Sequence, residues 1–299
     1  NIGEPQENGK YSLDNFAIEL ETPIPEGSVR GIPVLVNGQE GEETIHFLDD
    51  ADTADVNLAF EQNSFAELFP ASENNDADGI SDAFLAFYTA VFGEDPTNST
   101  YAGIVLSSGS EVNPNPININ IRTAETIRGT LGSGDDTIQL TNGQYAQNLI
   151  VDGHSGKDTF NIENAVNLQG NSAVFNGQEG DDIAFADFEE GVLTTRLDFT
   201  FNGGTSDTVG DKFRIAGDGQ TTGGQYTPSA TLDRTGEVTL KDNQFKLTNV
   251  EPLVVQGLPD FQVVTPDEVS NLSLDAVAVE DLALSNVSLQ VVTVDGVVS

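Results

Sequence analysis

The chain has 299 residues, with 49 Asp and Glu against 11 Lys and Arg and a formal net charge of −38. A surface of that sign repels nucleic-acid phosphate and anionic membrane, both of which are bound through basic patches. Cys, Met and Trp are absent, which excludes a disulfide framework and thiol chemistry, and no apolar run reaches the roughly 18 residues of a membrane-spanning helix.

Residues 1–12 are polar and read as an arm. They carry no signal peptide, as expected of a processed chain or a fragment. Phe16, Ile18 and Leu20 then alternate with Ala17 and Glu19, the period-2 pattern of a half-buried strand. A turn at Thr22–Gly27, a strand at Val29–Val36 and further alternating runs through Phe47 and Phe60 predict a small antiparallel β-sandwich over residues 1–70.

Residues 71–97 combine a candidate calcium loop with a helix. In Asn74-Asn75-Asp76-Ala77-Asp78-Gly79-Ile80-Ser81-Asp82, oxygen-bearing side chains recur at alternate positions with glycine sixth. That spacing turns Asn74, Asp76, Asp78, the Ile80 carbonyl and Asp82 toward one point. The same residues also suit an Asx-turn that caps the following helix. Ile80, Ala83, Phe84, Phe87, Tyr88 and Val91 form an apolar stripe at helical spacing. It predicts a helix that caps the next domain, with Gly93 and Pro96 as its stop.

Residues 98–262 carry many short apolar runs separated by Gly and Asn turns, an all-β pattern. Three turns within them are alike: Leu131-Gly132-Ser133-Gly134-Asp135-Asp136, Gly153-His154-Ser155-Gly156-Lys157-Asp158 and Gly177-Gln178-Glu179-Gly180-Asp181-Asp182. An apolar strand follows each, and the steps are 22 and 24 residues. A repeat of this size predicts a solenoid, here a right-handed parallel β-helix. Residues 263–299 alternate again, at Leu272–Asp275 and Leu282–Ser285, as further coils or the start of a second β-module.

The three turns resemble the nonapeptide repeats of the RTX family, Gly-Gly-x-Gly-x-Asp-x-apolar-x. On that pattern Gly132, Gly134, Gly153, Gly156, Gly177 and Gly180 take glycine positions, and Asp136, Asp158 and Asp182 take the aspartate position. Asp135 and Asp181 stand beside it. Here one turn occurs per coil, and the apolar position of the third turn falls on Ala184. The resemblance implies calcium held between coils by turn carbonyls and aspartates. Phe16–Gly27 is similar to the opening hairpin of Calx-β domains, and Asn74–Asp82 resembles EF-hand and thrombospondin type-3 loops. Phe201–Thr208, Gly224–Pro228 and Leu247–Gly257 are similar to segments of very large repetitive surface proteins of aquatic bacteria. That likeness implies an exported, calcium-containing, architectural protein.

Catalytic patterns are sparse. His46 and His154 are the only imidazoles, no serine sits in Gly-x-Ser-x-Gly, and Gly156-Lys157-Asp158 is not a phosphate-cradling loop. The expected function is therefore non-enzymatic: a secreted calcium-binding structural module of a bacterial surface layer, filament or adhesin stalk, meeting copies of itself or neighbouring modules. The alternative is a polysaccharide-acting enzyme or glycan-binding module on the same scaffold, near Tyr145, Tyr226 or Arg214.

Overall fold

Alternation of apolar and polar residues decides which face of each strand is buried, because successive side chains point to opposite sides. In the computed structural model this alternation builds two large sheets that share one core. The structure describes residues 15–19, 34–37, 42–48, 53, 55–64, 100–108, 117–122, 124–141, 143–163, 166–168, 170–189, 196–206, 210–221, 223–250, 252–265 and 291–293.

The first sheet runs in the order β1 (Asn15–Glu19), β3 (Thr44–Leu48), β7 (Thr126–Thr130), β10 (Asn148–Asp152), β13 (Ser172–Glu179), β15 (Asp198–Thr205), β19 (Asn243–Thr248), β18 (Gly236–Leu240), β17 (Gln225–Pro228), β21 (Gln262–Thr265) and β22 (Val291–Thr293). The second runs β2 (Val34–Asn37), β6 (Ile117–Arg122), β5 (Thr100–Ser108), β4 (Val56–Ser64), β8 (Thr137–Leu140), β11 (Thr159–Ile162), β14 (Ile183–Asp187), β16 (Lys212–Ala216) and β20 (Leu253–Gln256). A two-stranded parallel ladder joins β9 (Gly143–Gln144) to β12 (Val166–Asn167). From β7 to β16 the chain shuttles between the sheets, and each strand pairs in parallel with the strand one pass earlier. Two strands interrupt this parallel order: β5 is antiparallel to β4 and β6, and β18 is antiparallel to β17 and β19.

The sheets face each other across aromatic rows. Phe160 of β11 lies 5.4 Å, centroid to centroid, from Phe175 of β13 and 5.2 Å from Phe199 of β15. Phe175 stacks on Phe201 at 5.2 Å. Each ring is fully buried, and burying a phenylalanine contributes about 1.5–3 kcal/mol. Ala184 sits in register between Phe160 and Phe213, fully buried. A small side chain in this row is compatible with the rings that crowd in from the opposite sheet. The neighbouring Phe185 faces outward, under the Arg214 guanidinium at 4.8 Å.

The antiparallel sandwich expected over residues 1–70 is not what the described strands there form. β1 and β3 pair in parallel within the first sheet, β3 continues onto β7, and β4 pairs in parallel with β8. Period-2 alternation reads the same for parallel and antiparallel pairs, and the partners of β3 and β4 in β7 and β8 lie about 80 residues away. The candidate loop Asn74–Asp82, with Asp76, Asp78 and Ile80, and the predicted capping helix lie outside the described residues.

Candidate metal centre: a column of buried aspartates

Four successive turns from the first sheet to the second end on a buried aspartate. Asp136, Asp158, Asp182 and Asp211 stand one above another just before β8, β11, β14 and β16, each no more than 2% exposed. Their connection is specific. Oδ1 of Asp158 accepts the amide of Asp136 at 2.9 Å, Oδ1 of Asp182 accepts that of Asp158 at 2.9 Å, and Oδ1 of Asp211 accepts that of Asp182 at 3.0 Å. The column begins where the Val56 amide donates to Asp136 Oδ1 at 2.7 Å. Each inner carboxylate therefore reaches back and ties its own pass to the one before.

A second, outer column runs beside it in the opposite sense. Asp55 Oδ1 accepts the amide of Asp135, Asp135 Oδ1 accepts that of Lys157, and Asp181 Oδ1 accepts that of Gly210. These side chains reach forward to the next pass. Asp135 and Lys157 are exposed and Asp181 is half-buried.

The glycines make room for this packing. A Cβ on Gly177 would fall on the Asp182 carboxylate and within 2.8 Å of the Gly203 carbonyl oxygen, and one on Gly153 would meet Asp158 and the Gly177 carbonyl in the same way. Gly180 has φ 137° and carries the Gly156 carbonyl oxygen directly against its Cα. Gly156 holds the Gly134 carbonyl likewise. Gly132 and Gly134 are buried in the first turn, where Leu131 replaces the leading glycine. His154 and Gln178 hold φ 76° without being glycine.

Asp211 is the column member that the turn pattern does not reveal. Its step from Asp182 is 29 residues rather than 22 or 24. The extra residues interrupt the motif that starts at Gly203-Gly204. The usable signal is Gly203-Gly204 itself, followed by Asp211 and the apolar Phe213 two residues on.

Beside the turns, a third ladder faces outward. Arg128 donates to Asp152 Oδ2 through Nε at 2.9 Å, Asn176 Nδ2 donates to Asp152 Oδ1 at 2.7 Å, and Asn202 Nδ2 donates to Asn176 Oδ1 at 2.6 Å. His46 shares a 2.8 Å hydrogen bond with Thr130 Oγ1, and His154 is exposed. Tyr145, buried in the core, donates to the Phe60 carbonyl at 2.9 Å, and burial pushes its phenol well above the ordinary range. These placements give Tyr145 and His46 structural partners.

The electrostatics of the inner column are unusual. Burial, followed by repulsion from Asp136, Asp182 and Asp135, raises the Asp158 carboxyl to about 8, against the opposing hydrogen bond from the Asp136 amide. Burial and the charges of Asp211 and Asp181 raise Asp182 to about 7. Asp211 is raised too, mainly by burial. Oδ2 of Asp158 and Oδ2 of Asp182 are buried without a hydrogen-bond partner. A buried, unpartnered carboxylate oxygen is costly unless it takes a proton or a cation.

The residues fit a hard cation in donor chemistry. Carboxylate oxygens sit against glycine, close to the turn carbonyls of the next pass, and calcium accepts both kinds of ligand. Among the described residues no three His, Cys, Asp or Glu side chains converge in metal geometry. An ion here would therefore draw on main-chain carbonyls as well. No family model, curated protein or solved structure matches the chain.

Proposed function

We propose that the chain is a calcium-binding structural module of an extracellular bacterial surface assembly, built as a parallel β-helix. The aspartate column carries this reading. Asp158 and Asp182 each have one oxygen tied to the neighbouring pass and one buried oxygen with no hydrogen-bond partner. A cation between passes satisfies the free oxygens and lowers the self-repulsion of a chain at −38. A long row of passes braced in this way suits a stalk, filament or layer that bears load. The two imidazoles supply no acid–base constellation, since His46 is held by Thr130 and His154 sits on an exposed turn.

The test is thermal melting followed by circular dichroism, in calcium and in chelator. Calcium is expected to raise the midpoint through preferential binding to the folded state. Identical melts would remove calcium from the reading. Sedimentation in calcium then asks whether the module assembles with copies of itself.

A further inference from the structure

The outward face of the second sheet carries a patch that stands apart from the acidity of the chain. In register across β14, β16 and β20, Ile183 lies beside Lys212, Phe185 beside Arg214, and Arg214 beside Val254. The Arg214 guanidinium covers the Phe185 ring at 4.8 Å, and its Nη2 donates to Gln256 Oε1 at 3.3 Å. Gln256 in turn donates to Glu189 Oε1 at 3.0 Å. Nε of Arg214 is buried and has no hydrogen-bond partner, so the guanidinium is not fully satisfied within its own chain. Among the described residues neither Lys212 nor Arg214 pairs with a carboxylate, whereas Arg128 is paired with Asp152 and Lys246 with Asp198. Ile183, Phe185 and Val254 are half-buried and add apolar area around the two cations.

We propose that this face of β14, β16 and β20 is a contact surface for a second copy of the chain, which meets it with acidic surface. The inference rests on the surface-assembly reading above. With 49 acidic against 11 basic residues, most surfaces of two copies repel each other. Two uncompensated cations on one face mark where the approach of another copy is attractive instead. Arginine and aromatic side chains are also enriched at the centres of protein interfaces. A patch of one sign is a poor match for itself across a two-fold axis, where cation would meet cation. It therefore pairs with a different surface of the neighbour. Contacts of that heterologous kind close into rings or propagate as open filaments, and the second outcome suits a stalk or filament.

Sedimentation velocity of the whole chain in calcium tests this. Wild type is compared with Lys212→Glu plus Arg214→Glu, with the milder Lys212→Gln plus Arg214→Gln, and with a control, Lys241→Glu plus Lys246→Glu. The control changes the net charge equally, at exposed positions on and beside β19 of the other sheet. Circular dichroism melts check that each variant is folded, and the Gln pair decides if the Glu pair is not. Wild type and control are expected to associate alike, the Glu pair to associate roughly tenfold more weakly or worse, and the Gln pair to fall between. If wild type associates and the folded Lys212 and Arg214 variants associate equally well, the patch is overturned while the assembly reading stands. A control that loses as much as the Glu pair traces the effect to net charge and also overturns the patch. If wild type stays monomeric, the assembly reading fails and takes this inference with it. A monomeric wild type that binds a carboxylated polysaccharide through Arg214 would assign the patch to a glycan instead.

Discussion

The amide of Asp158 donates to Oδ1 of Asp182 at 2.9 Å across 24 residues of chain, and both groups are buried. Asp182→Ala strands that amide, which costs about 1–3 kcal/mol, and opens a cavity beside Gly177. Asp182→Asn keeps the acceptor and removes the charge. In chelator at neutral pH the Asn variant is expected to match or exceed wild type in urea midpoint, with Ala well below both. An Ala variant as stable as wild type would show that the column is not a brace.

The same column sets a pH dependence. Asp158 and Asp182 are raised from 3.8 to about 8 and about 7. An acid whose folded value exceeds its unfolded value binds its proton more tightly when folded, so its stabilisation is complete below the unfolded value and lost as pH rises through the folded one. In chelator the melting midpoint should therefore fall between about pH 5 and pH 9. The combined Asp158→Asn and Asp182→Asn variant should flatten that fall. A wild-type midpoint that climbs over this range would contradict the assigned burial.

Two glycines separate steric need from backbone strain. Gly177→Ala forces a Cβ into the Asp182 carboxylate and the Gly203 carbonyl, both fixed in the core. Gly170 has φ 95° but open space around it. Gly170→Ala should cost about 1 kcal/mol of strain, whereas Gly177→Ala should lower the urea midpoint several times further or abolish folding. Equal midpoints would refute the close packing of the turn.

In the outward ladder, Asn176 donates to Asp152 and accepts from Asn202. Asn176→Asp sets two carboxylates in contact and is expected to cost about 1–3 kcal/mol. Adding Asp152→Asn should restore most of the loss, a coupling that a double-mutant cycle measures directly.

The all-β class was legible because short apolar runs around Phe160, Phe175, Phe199 and Phe201 are separated by Gly and Asn turns. Asp136, Asp158 and Asp182 stood out because glycine turns repeat around them. What the aspartates do was not legible. A side chain bound to an amide 22 to 29 residues away leaves no local pattern, and the insertion before Asp211 hid the fourth member. The parallel pairing of β3 with β7 and of β4 with β8 is illegible for the same reason, since those partners are set by register across some 80 residues.

The opposed reach of the inner and outer side chains also governs how the molecule comes apart. A pass such as Gly153–Ile162 is held backward by Asp158 and, through the amide of Lys157, by Asp135, and forward by Asp182. No pass can peel away alone without rupturing buried bonds on both sides. Repeating architectures with strong nearest-neighbour coupling unfold in large blocks rather than unit by unit. Stretched from its ends, this stack should yield in one abrupt extension rather than as a staircase of equal small steps.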